Sequence, residues 1–262
     1  MRDALRVLRW SAACGWADYR SSYSVRTWVG GWLLRVFAQV AFYAFIGRLL
    51  DDPARTAYML IGTAVWFAAL EVGFACASTA WERRAGTLPL LVVAPTDLFW
   101  VYLGRNAQWL PSGIATSTLS LLVLSPAFHT GVPPSRLLGA IPLLALTAVT
   151  SYGLALTVAA IAMRAFGARN IASNLYTGVL LVFCGVQVPL TFWPGWVRAL
   201  AQAVPLTHGL AAVRAQIAGT EGLIGAIGLA VLSGAAWFGI AWLIFHGAAE
   251  RGRRTGSIEF GD

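Results

Sequence analysis

The chain has no lysine. All 19 of its basic residues are arginine, so a phosphate-binding P-loop, which needs its Lys against the nucleotide, cannot form, and a Schiff-base enzyme is excluded with it. Charge is scarce altogether: 11% of residues are charged, against about a quarter in a soluble domain. The three cysteines, Cys14, Cys76 and Cys184, make no CxxC pair, and His129, His208 and His246 lie far apart in the chain, so no zinc-site spacing exists. There is no GxSxG stretch, and the acidic residues fall mostly at the ends of apolar segments. Catalysis has almost no candidate groups here. If ATP drives this protein, the ATPase is another polypeptide.

What remains is apolar: 58% of the 262 residues are hydrophobic, with a mean hydropathy of +0.68. This is the composition of an all-α polytopic membrane protein. Windows of about 20 apolar residues, enough to cross the bilayer, predict six spans at roughly 28–50, 57–80, 107–128, 137–163, 171–190 and 222–246. The six-span body is expected over 28–247, with a basic tail at 248–262. The twelve tryptophans lie largely near the predicted span ends, where interfacial anchors belong.

Arginine placement sets the orientation, because short cytoplasmic flanks collect positive charge. With the N-terminus inside, thirteen arginines fall on the inner side and five (Arg48, Arg55, Arg136, Arg198 and Arg214) on the outer, with Arg35 inside the first span. Both termini are therefore expected in the cytoplasm, and the net charge of +8 needs no nucleic-acid partner. Residues 1–27 hold no signal-peptide core. Read as a helix, Leu5, Leu8, Ala12, Trp16 and Tyr19 share a stripe flanked by Arg2, Arg6, Arg9 and Arg20. That pattern predicts an interfacial helix on membrane lipids; a basic topology signal is the plainer alternative.

Two charges stand inside predicted spans. Arg35 lies about seven residues into the first, and Glu71 nine residues before the end of the second, so both sit roughly 10 to 14 Å from the same face. A lone charge there costs at least about 2.5 to 3.5 kcal/mol, which predicts an Arg35–Glu71 pair. Glu71 facing a substrate path and attracting a cationic compound is the other reading. Ala230 with Gly234, and Ala235 with Gly239, permit close helix approach in the last span.

Two stretches between spans carry more. Trp81-Glu82-Arg83-Arg84-Ala85-Gly86-Thr87-Leu88-Pro89-Leu90-Leu91 opens a polar connection that becomes apolar and stops at Pro95, after which Thr96 and Asp97 offer an N-cap. Downstream, Val188-Pro189-Leu190-Thr191-Phe192-Trp193-Pro194-Gly195-Trp196 leads through a short apolar run to Pro205-Leu206-Thr207-His208 and Arg214. Its prolines forbid one continuous helix and its aromatics keep it at the membrane surface.

Together these stretches resemble the membrane subunit of an ABC-2 type transporter. The family's pattern E-R-x-x-G-T-L-x-x-L-x-x-x-P is matched by Glu82, Arg83, Gly86, Thr87, Leu88, Leu91 and Pro95. The resemblance implies that stretch 82–95 holds a cytoplasmic coupling helix, with Glu82 and Arg83 as polar contacts and the leucines as its docking face. A basic loop with leucines resting on lipid is the bland alternative. The family's second pattern, N-P-L-T followed by Arg, is met by Pro205, Leu206, Thr207 and Arg214, while Ala203-Val204 replace the approach to its Asn-Pro pair. By resemblance, 189–214 is an outer re-entrant hairpin, with Pro189, Trp193, Pro194, Trp196, Pro205 and Arg214 as its marks.

The resemblance further implies a non-catalytic permease subunit of an exporter in the bacterial cytoplasmic membrane. It would work with separate ABC ATPase subunits, which bind ATP and Mg, and with a second permease subunit, identical or similar; this chain would need no cofactor of its own. Such permeases export drugs and secondary metabolites, or lipid-linked polysaccharides and teichoic-acid-like polymers. Few polar or aromatic groups are set apart for sugars here, which favours a small amphipathic compound. An ion-coupled secondary transporter would need ionisable residues at mid-membrane, where only Glu71 qualifies, and no inverted repeat is visible. A membrane enzyme would need a cluster of Asp, His or Ser, and none is evident.

Overall fold

Helices begin where the sequence supplies a cap or a proline. In the computed structural model, which describes residues 2–84, 86–94, 96–163 and 169–255, α1 (Arg2–Ser22) is followed by Ser24, whose hydroxyl caps the single turn α2 (Val25–Thr27). The chain then widens into a π-helical stretch, Trp28–Leu33, and continues as α3 (Leu34–Leu49). Asp52 accepts from the backbone N–H groups of Ala54 and Arg55, and Pro53 takes the first turn, where its missing N–H costs nothing, to start α4 (Pro53–Val72). Then come α5 (Ala75–Arg84), α6 (Leu88–Val93), α7 (Leu98–Asn106) and α8 (Trp109–Ala127). Asp97 is the N-cap of α7, accepting from Phe99 N–H at 2.9 Å. The rest is α9 (Pro134–Ala162), α10 (Arg169–Phe183), a 3₁₀ turn at Leu190–Phe192, α11 (Gly195–Gln202), α12 (Pro205–Ala218) and α13 (Leu223–Thr255).

Among the described residues five stretches are long and apolar enough to cross a membrane: Val25–Leu49, Pro53–Thr79, Leu98–Ala127, Pro134–Ala162 and Leu223–Arg253. Their ends depart from the sequence expectation chiefly at the third, which starts at α7 rather than at residue 107. A turn at Ala107 and Gln108 joins α7 to α8, because Pro111 cannot donate to Ala107 and its ring crowds that carbonyl. The segment expected to cross at 171–190 is shorter. Its helix ends at Phe183, about 22 Å long at ~1.5 Å per residue, and the chain then turns through Gly185 at φ +80°.

The interior is built on α4, α8 and α9, whose Leu60, Phe67, Leu121, Leu144 and Leu156 are fully buried. Some hydroxyls in this core bond within their own helices, while Ser117 reaches across from α8 to Ala64 O of α4. Thr63 donates to Met59 O and Thr147 to Leu143 O, both at 2.7 Å, so no polar group faces apolar surroundings unpaired at those positions. The long α13 lies against α9, where Ala230 and Gly234 are buried and a Cβ on Gly234 would come within 2.7 Å of Thr150 Cβ. Ala235 and Gly239 face outward instead.

The N-terminal helix packs on the protein itself. α1 runs along α7 so closely that a Cβ on Gly15 would fall 2.1 Å from the Arg105 carbonyl oxygen, and Arg105 pairs with Asp18 at 2.9 Å. The expected apolar stripe therefore divides. Tyr19 turns inward against Trp109, while Leu5 and Trp16 stay exposed.

Candidate functional site

Three places carry chemistry or mechanics, and the first is α6. Gly86, at φ +68°, and Thr87 turn the chain out of α5 and into this helix. Glu82 and Arg83 belong to the last turn of α5 as backbone, with their side chains outside the described residues, as is Pro95. Leu88 and Val92, at 2% and 1% exposure, point into the protein, Leu91 is half-buried, and Leu90 and Val93 stand out at 71% and 68%. This corrects the expected docking face. Leu88 is spent on the protein's own core, and the residues available to a partner are Leu90 and Val93.

The C-terminal part of α13 holds the far end of this stretch. Arg253 donates through Nε to Val92 O at 3.0 Å and through Nη2 to Ala94 O and Thr96 O, both at 2.9 Å. Nearby, Asp97 Oδ2 accepts from Trp242 Nε1 at 3.2 Å and lies 3.5 Å from His246 Nδ1. One planar guanidinium thus gathers two carbonyls at the end of α6 and one in the connection to α7. Nothing in the local sequence around 82–95 announces this, since Arg253 lies about 160 residues downstream.

The second place is the hairpin of α11 and α12. Pro194 and Pro205 stand at the starts of these helices, as their fixed φ favours. Thr207 Oγ1 donates to Ala201 O at 2.7 Å, His208 Nε2 bonds Gln202 O at 2.8 Å, and Trp237 of α13 donates to Ala203 O at 2.7 Å. Trp193 packs on Phe183, ring centroids 5.0 Å apart, while Pro189 and Trp196 are exposed. Arg214 pins the whole assembly. It donates to Gly185 O at 2.8 Å, Tyr58 O at 3.2 Å and Val186 O at 3.3 Å, and its guanidinium lies 3.5 Å from the centre of the Tyr58 ring. Tyr58 OH donates to the same Gly185 carbonyl. This single residue joins α12, the start of α4 and the turn after α10.

The third place is Glu71, which is 0% exposed. Its Oε1 accepts from Trp32 Nε1 at 2.8 Å and from Thr116 Oγ1, while Oε2 has no hydrogen-bond partner among the described residues. The predicted pair with Arg35 does not form. Arg35 is exposed and stands over the Trp32 ring at 5.4 Å, so the indole lies between the two charges, turning its face to one and its N–H to the other. No described Arg or His comes within ion-pair distance of Glu71. Around it, Trp32 meets Phe74 edge-on at 5.4 Å, Phe74 meets Trp109 at 5.0 Å, and Trp109 meets Tyr19 at 5.6 Å. Tyr19 OH and Trp28 Nε1 both donate to Ser112 Oγ, at 3.0 and 3.1 Å. Burial raises the Tyr19 phenol above its ordinary pKa, which keeps that hydroxyl a donor. The π-helical stretch places Trp28 and Trp32 so that both indole N–H groups reach this center, and π-helical turns recur at functional sites. The clue in sequence was the Trp28-Val29-Gly30-Gly31-Trp32 spacing, read only as an interfacial anchor.

A family model described as ABC-2 type transporter matches residues 13–217, from α1 to the last turns of α12. No curated protein matches the chain in sequence.

Proposed function

The chain belongs to the ABC-2 type transporter family, and from that premise we propose that it is the permease subunit of an exporter that moves a drug-like amphipathic compound, powered by a separate ATPase. The observation that carries this reading is α6, a short apolar helix with Leu90 and Val93 uncovered and its far end clamped by Arg253. The ATPase docks there. Its closure on ATP pushes α6, and because Arg253 ties α6 to α13, the push reaches the helix that runs along α9 and α12. In this reading α1 and α6 lie on the cytoplasmic side with both termini, α10 and the turn after it make the sixth crossing, and α11 and α12 cap the outer end of the path. A second permease copy, or a similar chain, completes the channel.

An aromatic groove of about 340 Å³ between α1, the π-helical stretch and α8, lined by Trp16, Tyr19, Tyr23 and Trp28, favours an amphipathic compound over a lipid-linked polymer as cargo. The test is affinity purification of the chain from its native membrane in mild detergent, with identification of what stays bound and an ATPase assay. A stoichiometric protein carrying a Walker A loop, lost on Leu90→Asp, supports the proposal. Recovery of the chain alone, still transporting without ATP, refutes it and moves the argument to ion coupling at Glu71.

A further inference from the structure

Between the C-terminal half of α1, the π-helical stretch and α8 lies a groove of about 340 Å³, walled by Trp16, Tyr19, Tyr23 and Trp28 with Arg20 at its rim. Its floor is the trio in which Tyr19 and Trp28 both bond Ser112. Behind the trio the same side chains, joined by Trp32, Phe74 and Trp109, enclose Glu71. The groove is therefore separated from a buried carboxylate by one layer of hydrogen-bonded side chains.

We propose that this groove binds lipophilic organic cations, ring-bearing amines of drug size, which rest on its aromatic walls and are drawn by the uncompensated carboxylate of Glu71. The inference rests on the exporter reading and names the class of its cargo. Two features favour a cation, the ring faces and Glu71. The ring faces carry negative potential and attract positive groups. Arg20 already exploits this, standing over the Trp16 ring at 5.5 Å. Among the described residues Glu71 has one oxygen without a hydrogen bond and no Arg or His in ion-pair reach, so an arriving cation supplies the charge that these residues do not. An anion would find only the exposed rim guanidinium of Arg20, with a carboxylate behind it. A neutral ring system would gain the apolar contact but nothing from Glu71.

The chain in nanodiscs of zwitterionic lipid is titrated with tetraphenylphosphonium and tetraphenylborate, ions of one shape and opposite charge, each corrected for binding to empty nanodiscs. The expected result is saturable binding of the phosphonium and about tenfold weaker binding of the borate or less. Glu71→Gln should weaken phosphonium binding about tenfold, and Arg20→Gln, an exposed change that leaves the fold intact, should tighten it about twofold. Equal binding of the two ions, or phosphonium affinity unchanged in Glu71→Gln, overturns the proposal. If thermal unfolding shows Glu71→Gln to be misfolded, the contrast of ions and the Arg20→Gln variant decide. The assay needs no ATPase, so the two readings fail separately. Capture of an ATPase without phosphonium binding sinks only the cation site, and binding without a captured ATPase sinks only the exporter.

Discussion

At one end of the helix bundle Arg214 gathers the carbonyls of Gly185, Val186 and Tyr58, and the hairpin it holds is tied again through Thr207, His208 and Trp237. At the other end Arg253 gathers the carbonyls of Val92, Ala94 and Thr96, yet the helix in front of it leaves Leu90 and Val93 uncovered. The same device, a guanidinium on backbone carbonyls, thus serves two purposes. Arg214 is packed against the Tyr58 ring and locks three elements into one body. Arg253 holds only the back of an element whose front is open, the arrangement the coupling proposed for α6 requires.

The contrast can be broken at several points, the most damaging first. Arg214→Ala removes the guanidinium from the carbonyls of Gly185, Val186 and Tyr58, of which Gly185 keeps the Tyr58 hydroxyl, and should cost about 2 kcal/mol or more, read as a large fall in thermal midpoint in detergent. Arg214→Lys should recover less than half, since one ammonium cannot span the three carbonyls. Full stability in either variant would end the argument that the hairpin is pinned there. Replacing Leu90 and Val93 together by Asp should leave the midpoint nearly unchanged while reducing capture of the ATPase about tenfold or more. A midpoint that collapses instead would mean these residues serve the fold.

Weaker changes sharpen the difference between locking and coupling. Trp237→Phe removes the donor to Ala203 O and should cost about 1 kcal/mol, measured by the same unfolding experiment. Arg253→Ala, at a more exposed site, should cost less than about 1 kcal/mol but lower transport per ATP hydrolysed severalfold in proteoliposomes; normal coupling would show that α13 does not take up the motion of α6. Arg55→Ala, which removes an exposed pair with Asp52 at 3.1 Å, should change stability by about 0.5 kcal/mol or less and serves as the internal zero.

Much of the architecture was legible because its signals are local. Pro53, Asp97, Pro194 and Pro205 start helices where a fixed φ or a carboxylate cap demands it. Long apolar runs predicted the described membrane-capable stretches to within a few residues, except at the start of the third, which begins at Leu98, and the end of the last, which runs to Arg253. The segment at 171–190 holds a shorter helix than its hydropathy suggests, because hydropathy ignores the turn through Gly185 at φ +80°. The sites were less legible. Arg214 was marked, but its partners on α4 and after α10 were not, and Arg253 was counted only as a positive charge on the inner side.

By itself the sequence determined that this chain is helical, apolar, without a nucleotide-binding loop, and interrupted at 82–95 and 189–214, because hydropathy, proline and the lack of lysine act within a few residues of themselves. Which way each side chain faces was decided by the tertiary structure. Leu88 turns inward and Leu90 outward, and Glu71 takes Trp32 and Thr116 in place of Arg35, because a helix's rotation is set by the neighbours it packs against. A depth along the membrane can be counted from sequence; a direction around the helix axis comes only from those neighbours.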